Sequence, residues 1–252
     1  MNCKLTLQYD GTDFCGWQIQ EGQRSAQGEL TRALSLLEGR AVVVHGAGRT
    51  DAGVHAEAQV ANVHLQRAFA PEKLRAAINA NVGRDLRVIA VEEAPDDFHA
   101  RFSARGKTYC YRIFNAPFMS PFWARYALHE ARPVDVERIR AAARLFPGTR
   151  DWTAFSAAQS EARTRVRTVT EMEVSERIDE RGRGRLIEIR ASADGFLRYM
   201  VRSIAGTLLA AGRGEMEEEQ IARAIASGDR SLVGATAPAH GLTLVGVRYL
   251  EE

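Results

Sequence analysis

The chain has 252 residues, enough for one large domain or two smaller ones with well-buried cores. Hydrophobic residues make up 45% and charged residues 26%, the balance of a globular protein, while a formal charge of +2 does not by itself indicate a polyanionic partner. No apolar run approaches the roughly 20 residues that cross a bilayer, so a helical membrane protein is excluded.

The predicted elements, in chain order, begin with a strand over residues 3–9, where Cys3, Leu5, Leu7 and Tyr9 alternate onto one face. Ser25 is placed to cap a helix over 26–37 whose Leu30, Ala33, Leu34 and Leu37 form an apolar stripe. A short β-branched strand is expected at 41–45 and another at 57–65, with Ala61, Val63 and Leu65 on a shared face. Pro71 suits the first turn of a helix running to about Ala80, and residues 86–93 complete a β-α-β-β-α-β order. A second series follows: a strand at 107–115, a helix at 135–146 with Val136, Ile139, Ala143 and Phe146 on one side, and strands near 166–176 and 185–193. It ends with a long apolar helix at 196–211, a shorter one at 216–227 and a terminal strand at 243–250. The expected fold is therefore α/β of the α+β kind: two topologically similar split βαβ halves, residues 1–104 and 105–252, each a sheet backed by helices. One continuous doubly wound sheet is the competing architecture. Neither says anything about chemistry.

Cys3, Cys15 and Cys110 are odd in number and widely spaced, which points to a reducing, cytoplasmic compartment and not to a disulfide framework. The first residues, MNCKLTLQYDG, lack an apolar run with a small-residue cleavage site, so a secretory leader is not expected. Only Lys4, Lys73 and Lys107 among the 34 basic residues are lysine; the rest are arginine, whose planar fork suits phosphate and stacking contacts. The stretch 101–125 holds Arg101, Arg105, Lys107, Arg112 and Arg125 and no acid, whereas acids gather at Glu215, Glu217, Glu218 and Glu219. Such segregation allows an RNA-facing surface on a nearly neutral chain.

Three segments carry candidate chemistry. The run His45-Gly46-Ala47-Gly48-Arg49-Thr50-Asp51-Ala52-Gly53-Val54-His55 joins two strands, with glycines that permit tight turns around Asp51. Asp51 is either a catalytic carboxylate or the centre of a structural Asx turn. His45 and His55 are close enough in sequence to meet across this loop, but no HExxH pattern, GxGxxG fingerprint, phosphate loop or GxSxG elbow is present, so neither a metal nor a cofactor is expected. In the strand Lys107-Thr108-Tyr109-Cys110-Tyr111-Arg112-Ile113, Tyr109, Tyr111 and Ile113 share a face, as stacking or acid–base groups or as packing aromatics. Arg198 and Arg202 lie four apart in the apolar helix, on one face. A buried Arg202 demands an anionic partner; a solvent-facing helix edge is the alternative.

YDGTDFCGWQ at 9–18, GRTDAGVHA at 48–56, FHARFSA at 98–104, KTYCYRI at 107–113, FLRYMVRSIAG at 196–206 and GLTLVGV at 241–247 together resemble the bacterial tRNA pseudouridine synthase A family over essentially the whole chain. The resemblance implies an isomerase that converts uridine to pseudouridine at positions 38, 39 and 40 of the tRNA anticodon stem-loop, without a cofactor. It implies a homodimer whose two α/β halves flank a basic cleft. It assigns Asp51 as the catalytic aspartate, Arg49 as the residue that opens the stem and holds the flipped nucleotide, Tyr109 as the active-site tyrosine and Arg202 as the arginine paired with the aspartate. Tyr111, Arg105 and Lys107 are carried as RNA-contacting residues, and Leu242 or Leu244 as the apolar wall beneath the uracil. Tyr199 and Ser203 depart from the family's usual His or Asn and Asn, and Ala237-Pro238-Ala239-His240 from its usual Pro-Pro-Glu run. The competing functional classes are a noncatalytic tRNA-binding or remodelling protein and a metal-dependent nuclease.

Overall fold

The computed structural model describes residues 1–158 and 163–250. Its first elements are β1 (Asn2–Tyr9), α1 (Ala26–Glu38), β2 (Val44–Gly46), β3 (His55–His64), α2 (Pro71–Ala80) and β4 (Leu86–Ala94). There follow β5 (Gly106–Asn115), β6 (Leu128–Glu130), α3 (Val136–Ala143), β7 (Gly148–Asp151), β8 (Val166–Asp179), β9 (Gly184–Ala193), α4 (Met200–Gly212), α5 (Glu218–Ser227) and β10 (Leu242–Arg248). Strands pair both antiparallel and parallel and helices pack on them, an α+β fold.

The chain forms two compact units. The first comprises Met1–Arg105 together with Thr243–Glu252. In it β1 lies between β4 and β3, antiparallel to both, and β2 pairs with β3. The alternation of β1 places Cys3, Leu5, Leu7 and Tyr9 in the interior. Ser25 accepts a hydrogen bond from the Gly28 amide at 3.2 Å, and Gly39 closes α1 in a left-handed conformation, so both helix ends are satisfied locally. Leu30, Ala33 and Leu34 of α1 and Leu74 and Ile78 of α2 are fully buried.

The second unit is Gly106–Leu242. Here β9 lies between β5 and β8, β7 extends β8, and β6 runs parallel to the end of β5. Tyr109, Tyr111 and Ile113 oppose Ala191, Ile189 and Ile187, and all six are buried. Phe146, Trp152 and Phe155 form an aromatic cluster, with the first two stacked at 6.0 Å.

Several boundaries differ from expectation. The short strands β6 and β7 carry no periodic signal long enough to read. α3 ends at Ala143, after which the Leu145 and Phe146 amides bond three residues back and tighten the last turn ahead of Pro147. α4 begins at Met200, not near 196, because Tyr199 adopts φ 66°, a left-handed conformation incompatible with a continuing helix. Arg198 therefore precedes the helix, and the shared helical face expected for Arg198 and Arg202 does not exist. The expected halves were contiguous; the compact units are not. β10 runs parallel to β3, with Thr243 opposite His55 and Leu244 opposite Ala56, so the last strand of the chain is built into the first unit.

Candidate active site

The segment 9–18 clamps the loop that carries Asp51. Trp17 donates its amide to the Thr50 carbonyl at 3.0 Å, Gly53 donates to the Phe14 carbonyl at 3.3 Å, and Val54 donates to the carbonyl of Asp51 at 3.1 Å. The approach is backbone to backbone. A Cβ on Gly11 would lie 2.0 Å from the Val54 oxygen, and one on Gly16, at φ 105°, would lie 2.6 Å from the Thr50 oxygen. Glycine is thus required on the clamping segment. Within the loop, Gly53 takes a left-handed φ of 77°. Gly46 does not; its Cα is instead covered by the Trp17 ring.

Side chains complete the clamp. Thr50 is buried and its hydroxyl shares a 2.8 Å hydrogen bond with Tyr9 Oη. Gln59 of β3, with no exposed surface, donates to the Gly48 carbonyl at 2.8 Å and to Tyr9 Oη at 3.4 Å. Burial pushes the Tyr9 phenol up to about 12, so it stays neutral and remains available as a donor. On the exit side the Gly11 amide donates to His55 Nδ1 at 2.9 Å, and Asp10 Oδ1 lies 3.2 Å from that nitrogen. Between these fixed points Arg49 is exposed and Asp51 is half-buried. The neighbours of Asp51 are pinned, and Asp51 itself is half-buried between them.

His55 is engaged by Asp10 and Gly11, and the His45 ring lies 4.7 Å from that of His99, tilted by 37°. Among the described residues no group of three or more His, Cys, Asp or Glu side chains is arranged to hold a metal.

In the second unit, β5 separates the two tyrosines that period-two geometry could not. Tyr111 has no exposed surface and donates its hydroxyl to the Pro238 carbonyl at 2.9 Å. Burial raises its pKa well above the usual phenol value. Tyr111 thus anchors the segment before β10. Tyr109 is 7% exposed and packs edge-on against Phe196 at 5.3 Å. Lys107 is half-buried near the start of β5, and Arg105, which precedes it, is exposed. Of the acid-free stretch, Arg112 is bound to Glu188 at 2.8 Å.

Arg202 lies in the first turn of α4 and is half-buried. Its Nε donates to the Ala237 carbonyl at 2.7 Å, and its own carbonyl accepts the Ala237 amide at 3.1 Å. Its guanidinium stands 4.9 Å from the centre of the Tyr199 ring, as does that of Arg198. Leu242 and Leu244 are both buried at the start of β10, where Thr243 and Leu244 register with the residues that leave the Asp51 loop.

Sequence reasoning missed Tyr9 and Gln59, which hold the Asp51 loop, and Tyr199, whose ring lies against Arg198 and Arg202. Gln59 carried a usable signal, an amide side chain flanked by Ala58, Val60 and Ala61 in β3. Tyr199 carried none, because a left-handed non-glycine residue is invisible to periodicity.

A model of the tRNA pseudouridine synthase family matches residues 6–103 and 142–250. A tRNA pseudouridine synthase A from Allorhizobium ampelinum is 43% identical over 249 residues, 98% of this chain and 94% of that protein. Proteins of the same description from a Bacillus species and from a Geobacillus species are each 41% identical, over 98% of this chain and 99% and 97% of their own lengths. With its glycine-clamped aspartate loop and 41–43% identity to these proteins over nearly its whole length, the chain belongs to the tRNA pseudouridine synthase family.

Proposed function

We propose that this chain isomerises uridines at positions 38, 39 and 40 of the tRNA anticodon stem-loop, with Asp51 as the catalytic carboxylate. The observation that carries this reading is the Asp51 loop itself: its backbone is clamped by Trp17 and Phe14, its Thr50 is locked by Tyr9, and Asp51 is half-buried between these fixed points.

The reaction breaks C1′–N1 and joins C1′ to C5 of the same uracil, with the C5 proton lost and N1 protonated. Nothing is oxidised and no co-reactant is consumed. A stacked uridine has to be flipped out, at a cost of a few kcal/mol that phosphate contacts offset. Arg49, exposed beside Asp51, takes the space the base vacates and holds the everted nucleotide. Arg105 and Lys107 contribute phosphate contacts. Asp51 acts as an anion, by attack at C1′ or C6 or by removing the C2′ proton to give a glycal. Arg202 supplies the positive charge that keeps a carboxylate ionised. Tyr109 orients the released uracil and either accepts the C5 proton or positions the group that does. Leu242 or Leu244 forms the apolar wall beneath the base. We further assign the chain to the cytoplasm as a homodimer, and read its units as two split βαβ halves flanking a basic cleft.

The test is incubation of unmodified tRNA with the protein in EDTA, followed by nucleoside analysis. Pseudouridine without strand cleavage is expected. Unmodified, intact RNA points to a binding protein, and metal-dependent shortening to a nuclease. Asp51→Asn is expected to keep folding and tRNA binding and to lower product formation by more than about a thousandfold; normal turnover by this variant defeats the assignment.

A further inference from the structure

Residues 98–103 form a rigid platform that nothing in the reaction above uses. Ala100 is fully buried; its amide donates to Asn62 Oδ1 at 2.9 Å and its carbonyl accepts the Tyr249 hydroxyl at 2.7 Å. The Phe98 carbonyl accepts from Asn2 Nδ2 at 2.9 Å and from Asn62 Nδ2 at 3.3 Å, and both asparagines are themselves buried. His99 and Ser103 close the turn: the Ser103 amide donates to the His99 carbonyl at 2.9 Å, and the His99 amide to Ser103 Oγ at 3.1 Å.

This anchored turn holds Phe102 outward, 71% exposed. The ring is not loose. It lies 4.4 Å from the His99 ring, which lies 4.7 Å from the His45 ring, at interplanar angles of 38° and 37°. The Arg101 guanidinium stands 5.7 Å from the centre of the same ring. His99 Nδ1 accepts the Arg101 amide at 3.1 Å, which fixes the imidazole. Burial, and then the neighbouring His45, lower its pKa below the ordinary imidazole value. A large aromatic face displayed on a fixed backbone, backed by two tilted imidazole rings and bordered by Arg101, matches the requirements of an unpaired nucleobase with its phosphate: a π face to stack on and a cation beside it. An apolar protein partner would be better served by a face without the exposed guanidinium. The acid-free stretch 101–125 begins at this point, so the local charge favours a polyanion.

We propose that Phe102, backed by His99 and His45 and flanked by Arg101, is a stacking subsite for an unpaired base of the RNA substrate, separate from the pocket of the reacting uridine. The assignment rests on the proposed tRNA activity. Phe102→Ala, Phe102→Trp and Arg101→Gln would be compared with the wild-type protein in steady-state pseudouridine formation on unmodified tRNA, in tRNA binding at several salt concentrations, and in sedimentation. Phe102→Ala is expected to raise KM and the binding Kd about ten- to a hundredfold at nearly unchanged kcat and thermal midpoint, since the ring is exposed. Phe102→Trp should restore affinity, and the added indole fluorescence should be quenched by tRNA. Arg101→Gln should reduce the salt dependence of binding by about one phosphate contact. An unchanged KM and Kd for Phe102→Ala overturns the subsite, as does dissociation of an oligomer in that variant with RNA affinity intact. Failure of the wild-type protein to make pseudouridine overturns the proposed activity instead, and the two outcomes are distinct.

Discussion

At the scale of single residues, burial decides which polar groups serve the fold and which face the substrate. Glu38 ends α1 with its side chain enclosed, and one oxygen accepts the Gln66 amide at 2.6 Å and the Arg67 amide at 3.3 Å. Burial alone would raise its pKa, but these hydrogen bonds and Arg40 outweigh it and hold the carboxyl below its ordinary value. A depressed folded-state pKa means that the stabilisation is present above the ordinary carboxylate range and is lost as pH falls through the lowered value. Glu38→Ala is expected to cost about 1–3 kcal/mol at pH 7 in denaturant unfolding, because two amides lose a buried acceptor. The gap to wild type should narrow as pH falls below the ordinary carboxylate range, and a gap independent of pH would show that the carboxylate charge is irrelevant. Tyr199 is the opposite case. Its left-handed backbone costs about 1–2 kcal/mol, offset by two guanidiniums on its ring, each contact worth about 0.5–1 kcal/mol. The balance favours a residue that positions arginines over one that lengthens a helix.

At the scale of elements, two sequence motifs about thirty residues apart form one structural object. The turn after β1 and the loop before β3 touch through backbone atoms at Gly11 and Gly16, and a methyl group has nowhere to go. Gly16→Ala adds a strained φ to a close contact with the Thr50 carbonyl, and about 2–4 kcal/mol of destabilisation is expected in thermal or urea unfolding. Because Thr50 adjoins Asp51, turnover at temperatures where the variant remains folded should fall more than tRNA binding. Equal activity per folded molecule would mean that the clamp does not position the carboxylate.

At the scale of the whole molecule, the chain closes on itself. β10 adds to the sheet of the first unit, the Tyr249 hydroxyl reaches the Ala100 carbonyl, and Lys4 stands 5.5 Å from the centre of the Tyr249 ring. The terminal strand thus braces both the exit of the Asp51 loop and the turn that carries Phe102. Removal of residues 243–252 is expected to accelerate hydrogen exchange in β3 and in residues 98–103 by at least about tenfold, while the β5–β9 ladder keeps its protection. Unchanged protection in β3 would show that the strand is dispensable to the first unit. Among the described residues no helix is long and apolar enough to cross a membrane.

The amino-acid sequence by itself determined the elements whose period and caps agree: β1, α1 with Ser25, α2 with Pro71, and the strands β5 and β9, though not their pairing. In these, one residue's face follows from its neighbours' spacing. It also marked the loop of Asp51 and the motifs that place the chain in its family. What only the tertiary structure decided were matters of long-range contact. These include which tyrosine of β5 is sealed by Pro238, which histidine lies against His99, where Tyr199 stops the helix, and which unit receives the final strand. Periodicity reports the direction of a side chain relative to its own element. It carries no information about what another part of the chain, thirty or two hundred residues away, will place against it.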